Sequence, residues 1–232
     1  MPSRHAVADL TVGAVVKAVD HLMLAPDQTF QDIERACREA AEHKFASISL
    51  PPYAVSYAAR LLRGTGVAMC GTAGIPLGYS GLRAKCDEAS TSIEAGAGEI
   101  DMAINLVAMK SGRYADVQKE VAAVRRLASG LVLKATLECC YLNDAEKLRA
   151  AKLVLDAGAD VVKTHTGFGK EGVRLHDVQL LRRALGPSVE IEAAGGIARF
   201  KPFRDMLGAG ATRVGVESAV AVIQDFYKWE AA

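Results

Sequence analysis

Short apolar runs alternate with longer amphipathic stretches along most of the chain, and each kind keeps its own period. The runs fall at 19–24, 46–50, 67–70, 99–104, 131–137, 160–162, 189–193 and 213–216. Several are apolar almost throughout, the pattern of strands covered on both faces. Between them, apolar positions recur at helical spacing over 30–43, 53–62, 82–94, 114–128, 144–156, 175–185, 203–207 and 218–229. Asn143 with Glu146 three residues on is a capping-box start, and Gly96, Gly158, Gly186 and Gly208 are placed to stop helices. Residues 7–18 read as an extra helix ahead of the first strand.

Strand followed by helix, repeated, is what a parallel sheet with crossover helices requires. Eight units in 232 residues average about 29 residues each, close to the roughly 30-residue strand-helix unit. The expected fold is therefore a closed (β/α)8 TIM barrel with an extra N-terminal helix. An open doubly wound sheet, which needs no fixed strand number, is the rival. No linker or composition step divides the chain, so residues 1–232 are expected to form a single domain.

Composition narrows the class. Half the residues are apolar, 24% are charged and the net charge is +1, which argues against disorder and against a nucleic-acid partner. Aromatics are only 6%, so an aliphatic core is expected. No apolar run approaches the roughly 18 residues of a membrane span, and the first ten residues lack an apolar signal core, so no membrane partner and a cytoplasmic location are expected. The five cysteines, Cys37, Cys70, Cys86, Cys139 and Cys140, show no CxxC spacing and read as reduced thiols; the adjacent Cys139 and Cys140 are small packed side chains at a strand end or a redox-sensitive pair.

In a barrel of this kind, chemistry is built at the C-terminal ends of the strands. Four charged residues end or interrupt apolar runs there: Asp101, Lys134, Lys163 and Glu192. One such charge is accounted for by a structural ion pair, but four are costly to bury without a function. A lysine in an apolar interior suggests Schiff-base chemistry, because only the neutral amine attacks a carbonyl. Lys163 is the nucleophile candidate, Lys134 its cationic neighbour, and Asp101 the proton shuttle.

Glycines after the seventh run (Gly195, Gly196) and around the eighth (Gly208, Gly210, Gly215) fit the phosphate grip common in these barrels, or two tight turns. Gly167 to Gly172 spell GxGxxG, but a long loop follows and the strand-ending lysine has no role in a dinucleotide site, so a substrate-covering loop is the simpler reading. The five histidines are scattered, no metal-ligand spacing stands out, and neither metal nor cofactor is expected.

Taken together, Val19-Asp20-His21, Gly74-Ile75-Pro76-Leu77-Gly78, the segment from Gly96 to Asn105, Leu133-Lys134-Ala135-Thr136-Leu137-Glu138, the segment from Ala157 to Phe168, and Ala193-Ala194-Gly195-Gly196-Ile197 resemble the deoxyribose-phosphate aldolase family from about Val19 to Val222. The resemblance implies a carbon-carbon lyase acting on an aldehyde, ketone or sugar. In it Lys163 is the imine-forming lysine, Asp101 the proton relay and Lys134 the second barrel lysine. It also implies a homodimer, and a substrate-binding set of Asp20, His165, Thr166, Gly167, Gly195, Gly196, Gly215, Glu217 and Ser218.

The chain departs from the family pattern where substrate is met. Glu192 replaces a lysine, Gly215-Val216-Glu217-Ser218 replaces Gly-Thr-Ser-Ser, His165 replaces a serine, Ser49-Leu50-Pro51-Pro52 replaces Cys-Val-Asn-Pro, and Leu22 replaces a threonine. A carboxylate about 4 Å from a phosphate charge costs about 4 kcal/mol per charge at an effective dielectric near 20. The expectation is an imine-forming aldolase with an altered substrate, Glu192 acting as general acid or base. The alternatives are a non-catalytic or regulatory relative, and another Schiff-base lyase such as a dehydratase or decarboxylase.

Overall fold

The computed structural model describes residues 10–231. Helix α1 (Val12–Lys17) precedes strand β1 (Val19–Leu22) and is capped by the Thr11 hydroxyl, which accepts from the Ala14 amide at 3.2 Å. It covers part of the helix expected over 7–18; positions 7–9 lie outside the described residues. Strands β2 (Ser47–Leu50), β3 (Ala68–Ala73), β4 (Glu99–Ala103), β5 (Val132–Thr136), β6 (Val161–Lys163), β7 (Glu190–Ala194) and β8 (Arg213–Val216) follow, and β8 pairs with β1 to close the barrel. Every pairing is parallel, and all but the closing β8–β1 pair join chain neighbours. Closure excludes the doubly wound sheet.

Helices α2 (Phe30–His43), α3 (Pro52–Leu62), α4 (Leu82–Glu94), α5 (Leu106–Lys110), α6 (Tyr114–Leu127), α7 (Asp144–Asp156), α8 (Leu175–Leu185), α9 (Phe200–Ala209) and α10 (Ala219–Glu230) accompany the strands. The capping box at α7 is present, with both Asn143–Glu146 hydrogen bonds at 2.9 Å. Three boundaries differ from the sequence pattern for physical reasons. β3 runs three residues past Cys70 and requires glycine at position 71, where a Cβ would stand 2.3 Å from Ser92 Cβ on α4. α9 starts at Phe200 because Pro202 lies in its first turn, where no intrahelical N–H is required. Gly208 is therefore helical, and Gly210, at φ 109°, ends the helix in its place.

The hydrophobic core lies between barrel and helices. Ile100, Met102, Leu133, Ala135, Val162, Ile191 and Ala193 alternate with the polar positions of their strands and are fully buried. Burial of each large aliphatic side chain stabilises the fold by about 1.5–3 kcal/mol, and it also fixes the register that turns Asp101, Lys134, Lys163 and Glu192 inward.

Candidate active site

Inside the barrel the charged residues form one continuous ion cluster. Lys163 Nζ lies 2.7 Å from Asp101 Oδ2 and 3.0 Å from Glu192 Oε1. Lys134 Nζ lies 2.7 Å from Asp20 Oδ2, 3.0 Å from Glu99 Oε2 and 2.9 Å from Glu192 Oε2. Arg213 closes the base, bonding Asp20 through Nε at 3.0 Å and Glu99 through Nη1 at 2.7 Å. Asp101 is held from its other side by the Thr136 hydroxyl, 2.6 Å from Oδ1. Strand register builds this arrangement: Asp101 is opposite Lys134, Thr136 opposite Lys163, Lys163 opposite Glu192, and Glu192 opposite Arg213.

The two lysines differ in how many carboxylates surround them. An ammonium group has three donors. Each lysine donates one hydrogen bond, Lys134 to Asp20 and Lys163 to Asp101, and Lys134 faces three carboxylates where Lys163 faces two. Burial pulls the Lys163 pKa down, but Asp101 and Glu192 outweigh it and hold the amine above its ordinary value, as an ammonium. Lys134 is raised well above its ordinary value by Asp20 and Glu192 against the same burial penalty. Glu192 moves the other way for a carboxyl: burial pushes its pKa up, helped by Asp20 and Asp101 and opposed by the two lysines.

Charge counting agrees with the raised pKa of Glu192. Lys134, Lys163 and Arg213 supply three positive charges, and Asp20, Glu99, Asp101 and Glu192 four negative ones, leaving one uncompensated negative charge. Such a charge is costly in a buried site. A proton taken up by Glu192, whose pKa burial raises, would remove it.

The C-terminal mouth carries two openings. A cavity of about 90 Å³ is lined by Leu22, Gly195, Gly196, Ile197, Ala198, Gly215 and Glu217. A wider cleft of about 320 Å³ runs over β1 and α2, where the carboxylates of Asp27, Asp32, Glu39 and Glu217 outnumber the one arginine, Arg35. Glu217 borders both. Lys163 is fully buried, and Glu192 stands between it and the smaller cavity: a Cβ on Gly215 would lie 3.0 Å from Glu192 Oε1.

Of the residues expected to contact substrate, Gly195, Gly196, Gly215 and Glu217 line the smaller cavity, while Gly167 and Ser218 are exposed at the rim. Asp20 is placed elsewhere: fully buried at the base, it accepts from Lys134, Arg213 and the Ser47 hydroxyl and faces no cavity. His165 and Thr166 are also buried. The Thr166 hydroxyl donates to Glu138 Oε2 at 2.5 Å, and neither ring nitrogen of His165 has a hydrogen-bond partner. Burial pushes the His165 imidazole down to about 4.

The GxGxxG segment lies in the loop from β6 to α8, not at a strand-helix turn. It packs on loop seven, where the Val173 amide donates to the Gly195 carbonyl at 3.1 Å and a Cβ on Gly172 would stand 2.7 Å from that oxygen. All five cysteines are free; Cys139 and Cys140 sit in a short 3-10 turn, the first buried and the second half-buried. Glu99 and Arg213 complete the ion cluster without having stood out in the sequence, because both open their strands at the base instead of ending them at the mouth. The period-two spacing of Glu99 and Asp101 is the signal that was there to be used.

Comparison with known proteins agrees with this architecture. A family model described as DeoC/LacD family aldolase matches residues 14–220. The deoxyribose-phosphate aldolase of Carboxydothermus hydrogenoformans is 40% identical over 220 residues, covering 93% of this chain and 96% of its own. That of Brevibacillus brevis is 42% identical over 207 residues, covering 89% and 94%. The solved deoxyribose phosphate aldolase of Aeropyrum pernix, described as a tetramer, superposes with a TM-score of 0.90 at 31% identity, covering 98% of this chain and all of that one. No described helix is long and apolar enough to cross a membrane. With a closed parallel barrel, a lysine-carboxylate cluster in its interior and relatives matching nearly its whole length, the chain belongs to the DeoC/LacD aldolase family.

Proposed function

We propose that this protein is an imine-forming aldolase whose substrate carbonyl is attacked by Lys163 and whose substrate lacks the phosphate of the family's usual sugar. The observation that carries the reading is the Thr136–Asp101–Lys163 chain, with links of 2.6 and 2.7 Å, facing Glu192 on the other side of the amine. As a carbonyl compound enters, Glu192 takes the ammonium proton and leaves a neutral amine, the step that its raised pKa favours. The amine adds to the carbonyl carbon, and the carbinolamine loses water to give the iminium. The iminium accepts the electron pair of the breaking carbon-carbon bond; in synthesis the enamine returns that pair to an incoming aldehyde. Asp101, oriented by Thr136, moves the proton at the reacting carbon.

The altered substrate is supported by Glu217, a carboxylate bordering both openings where the family pattern has a serine. Hydroxyls or an amine suit that rim better than a phosphate dianion.

The test is trapping: the protein is incubated with small aldehydes and ketones, reduced with borohydride and weighed intact. The expected result is a single adduct that maps to Lys163 and is lost in Lys163→Ala, together with carbon-carbon cleavage or addition products. A second reading, a non-catalytic ion-pair cluster, is favoured by the complete burial of Lys163 between two carboxylates. Absence of any adduct across the panel would establish it instead.

A further inference from the structure

We propose a binding site for one zinc-class transition-metal ion at Glu138, Cys140 and His165, where strands β5 and β6 open into the mouth of the barrel. The carboxylate oxygen, thiol sulfur and imidazole nitrogen of these residues lie within 4.8 Å of one another. They come from two loops that the backbone ties together, the Cys139 amide donating to the Thr164 carbonyl at 2.9 Å. Linear spacing hid the set, since Glu138 and Cys140 are two apart and His165 lies in the loop after the next strand.

His165 is the residue that asks for a ligand. It is fully buried, and both ring nitrogens lack a hydrogen-bond partner. A buried imidazole left this way loses the hydrogen bonds it had in water. A metal bond to one nitrogen would make up for one of them. Glu138 is turned toward the site by a left-handed backbone, φ 55°, uncommon for a residue with a side chain. Thr166 anchors its Oε2, leaving Oε1 to the site, where Cys140 Sγ lies 3.7 Å away. Gly169 packs against the same atoms: a Cβ there would stand 2.6 Å from Glu138 Oε1 and 2.7 Å from Cys140 Sγ.

Nitrogen, sulfur and oxygen donors together suit zinc or cobalt better than magnesium or calcium. Tetrahedral bonds of 2.0–2.3 Å place ligand atoms about 3.3–3.8 Å apart, so the set need contract by only about 1 Å. On binding, Cys140 gives its thiol proton to water, and thiolate plus carboxylate neutralise the dication, which suits a buried position. Three protein ligands leave a fourth position open toward solvent at the half-buried Cys140. The site stands whether or not Lys163 forms an imine.

The test is to add zinc to the purified protein, remove free metal by gel filtration and count bound metal by mass spectrometry, with cobalt as a spectroscopic probe. One zinc per chain is expected, and the cobalt form should show a thiolate charge-transfer band and the visible bands of four-coordinate metal. Cys140→Ser and His165→Asn should each abolish the charge-transfer band or weaken zinc binding by about 100-fold or more, while Cys86→Ser changes neither. No retained zinc, a cobalt spectrum without a thiolate band in the unaltered protein, or equal binding after Cys140→Ser would each overturn the proposal.

Discussion

Glu192 Oε1 approaches Lys163 Nζ to 3.0 Å but lies off the line of a hydrogen bond, so the two meet as a Coulomb pair with no directional bond between them. Such a contact can open without breaking a hydrogen bond when a carbonyl arrives. The pair also sets the amine's pKa, and the sign is testable. Asp101 and Glu192 hold Lys163 as an ammonium, so removing one negative charge must lower its pKa and enlarge the neutral fraction at any given pH. In Glu192→Gln the pH profile of borohydride-trapped adduct, followed by intact mass, should shift to lower pH by about one to three units. An unchanged profile would show that Glu192 does not control the amine.

Asp101 is gripped by Thr136 and Lys163 on separate oxygens, the geometry of a relay whose orientation is fixed before substrate arrives. Asp101→Asn keeps the shape and loses the proton-accepting oxygen. Turnover should fall by about 10²–10⁴-fold, the usual contribution of a positioned acid or base, while an adduct at Lys163 still forms under borohydride. Loss of both together would assign Asp101 to amine activation instead of to proton transfer at carbon.

The base of the cluster is a matter of stability, not chemistry. Arg213 pairs with Asp20 and Glu99, both nearly or fully buried. Arg213→Met therefore strands two carboxylates beside one lysine. Breaking a buried pair from one side costs about 3–5 kcal/mol, and urea denaturation should register a loss of that size with no shift in the trapping profile.

How much of this was readable in advance follows the physics of each feature. Hydrophobic periodicity gave eight strands in order, because a strand buried on both faces must be apolar wherever it is not functional, and polar interruptions such as Lys134 and Lys163 then stand out. Glu99 and Arg213 were missed because each begins its strand, where a charge looks like the edge of a loop. Asp20 was expected at the substrate because it sits in a motif at β1, yet its side chain is buried at the base, held by Lys134 and Arg213, both remote in sequence. The short helix α5 has too few residues to show a period. The Glu138–Cys140–His165 set joins neighbouring loops that only strand pairing brings together.

Two buried histidines give the fold an acid-side signature. Burial pushes His21 and His165 each down to about 4 from an ordinary 6.5. Between those values the unfolded chain binds more protons than the folded one, so stability falls as pH drops through this window and is flat above it, as far as these groups decide. Each histidine contributes a slope of up to about 1.4 kcal/mol per pH unit. Urea denaturation at a series of pH values should show the slope between pH 6.5 and 4, and His165→Asn should reduce it; a slope that His165→Asn leaves intact would mean that this ring is already solvated.

The sharpest test of substrate choice restores the family's charges. Glu217 borders both openings at the mouth, and Glu192 leaves the interior one charge negative. Glu192→Lys changes the cluster from four carboxylates against three cations to three against four, so its net charge passes from −1 to +1. A like charge beside Lys163 then favours its neutral form. Glu217→Ser removes a repulsion of about 4 kcal/mol per phosphate charge at 4 Å and an effective dielectric near 20. The double variant should cleave deoxyribose 5-phosphate with kcat/KM at least 100-fold above the unaltered protein, the Glu217→Ser part appearing mainly in KM and the Glu192→Lys part in kcat. If the unaltered protein already cleaves that sugar phosphate at ordinary enzyme rates, Glu217 does not face the phosphate and the altered-substrate reading fails.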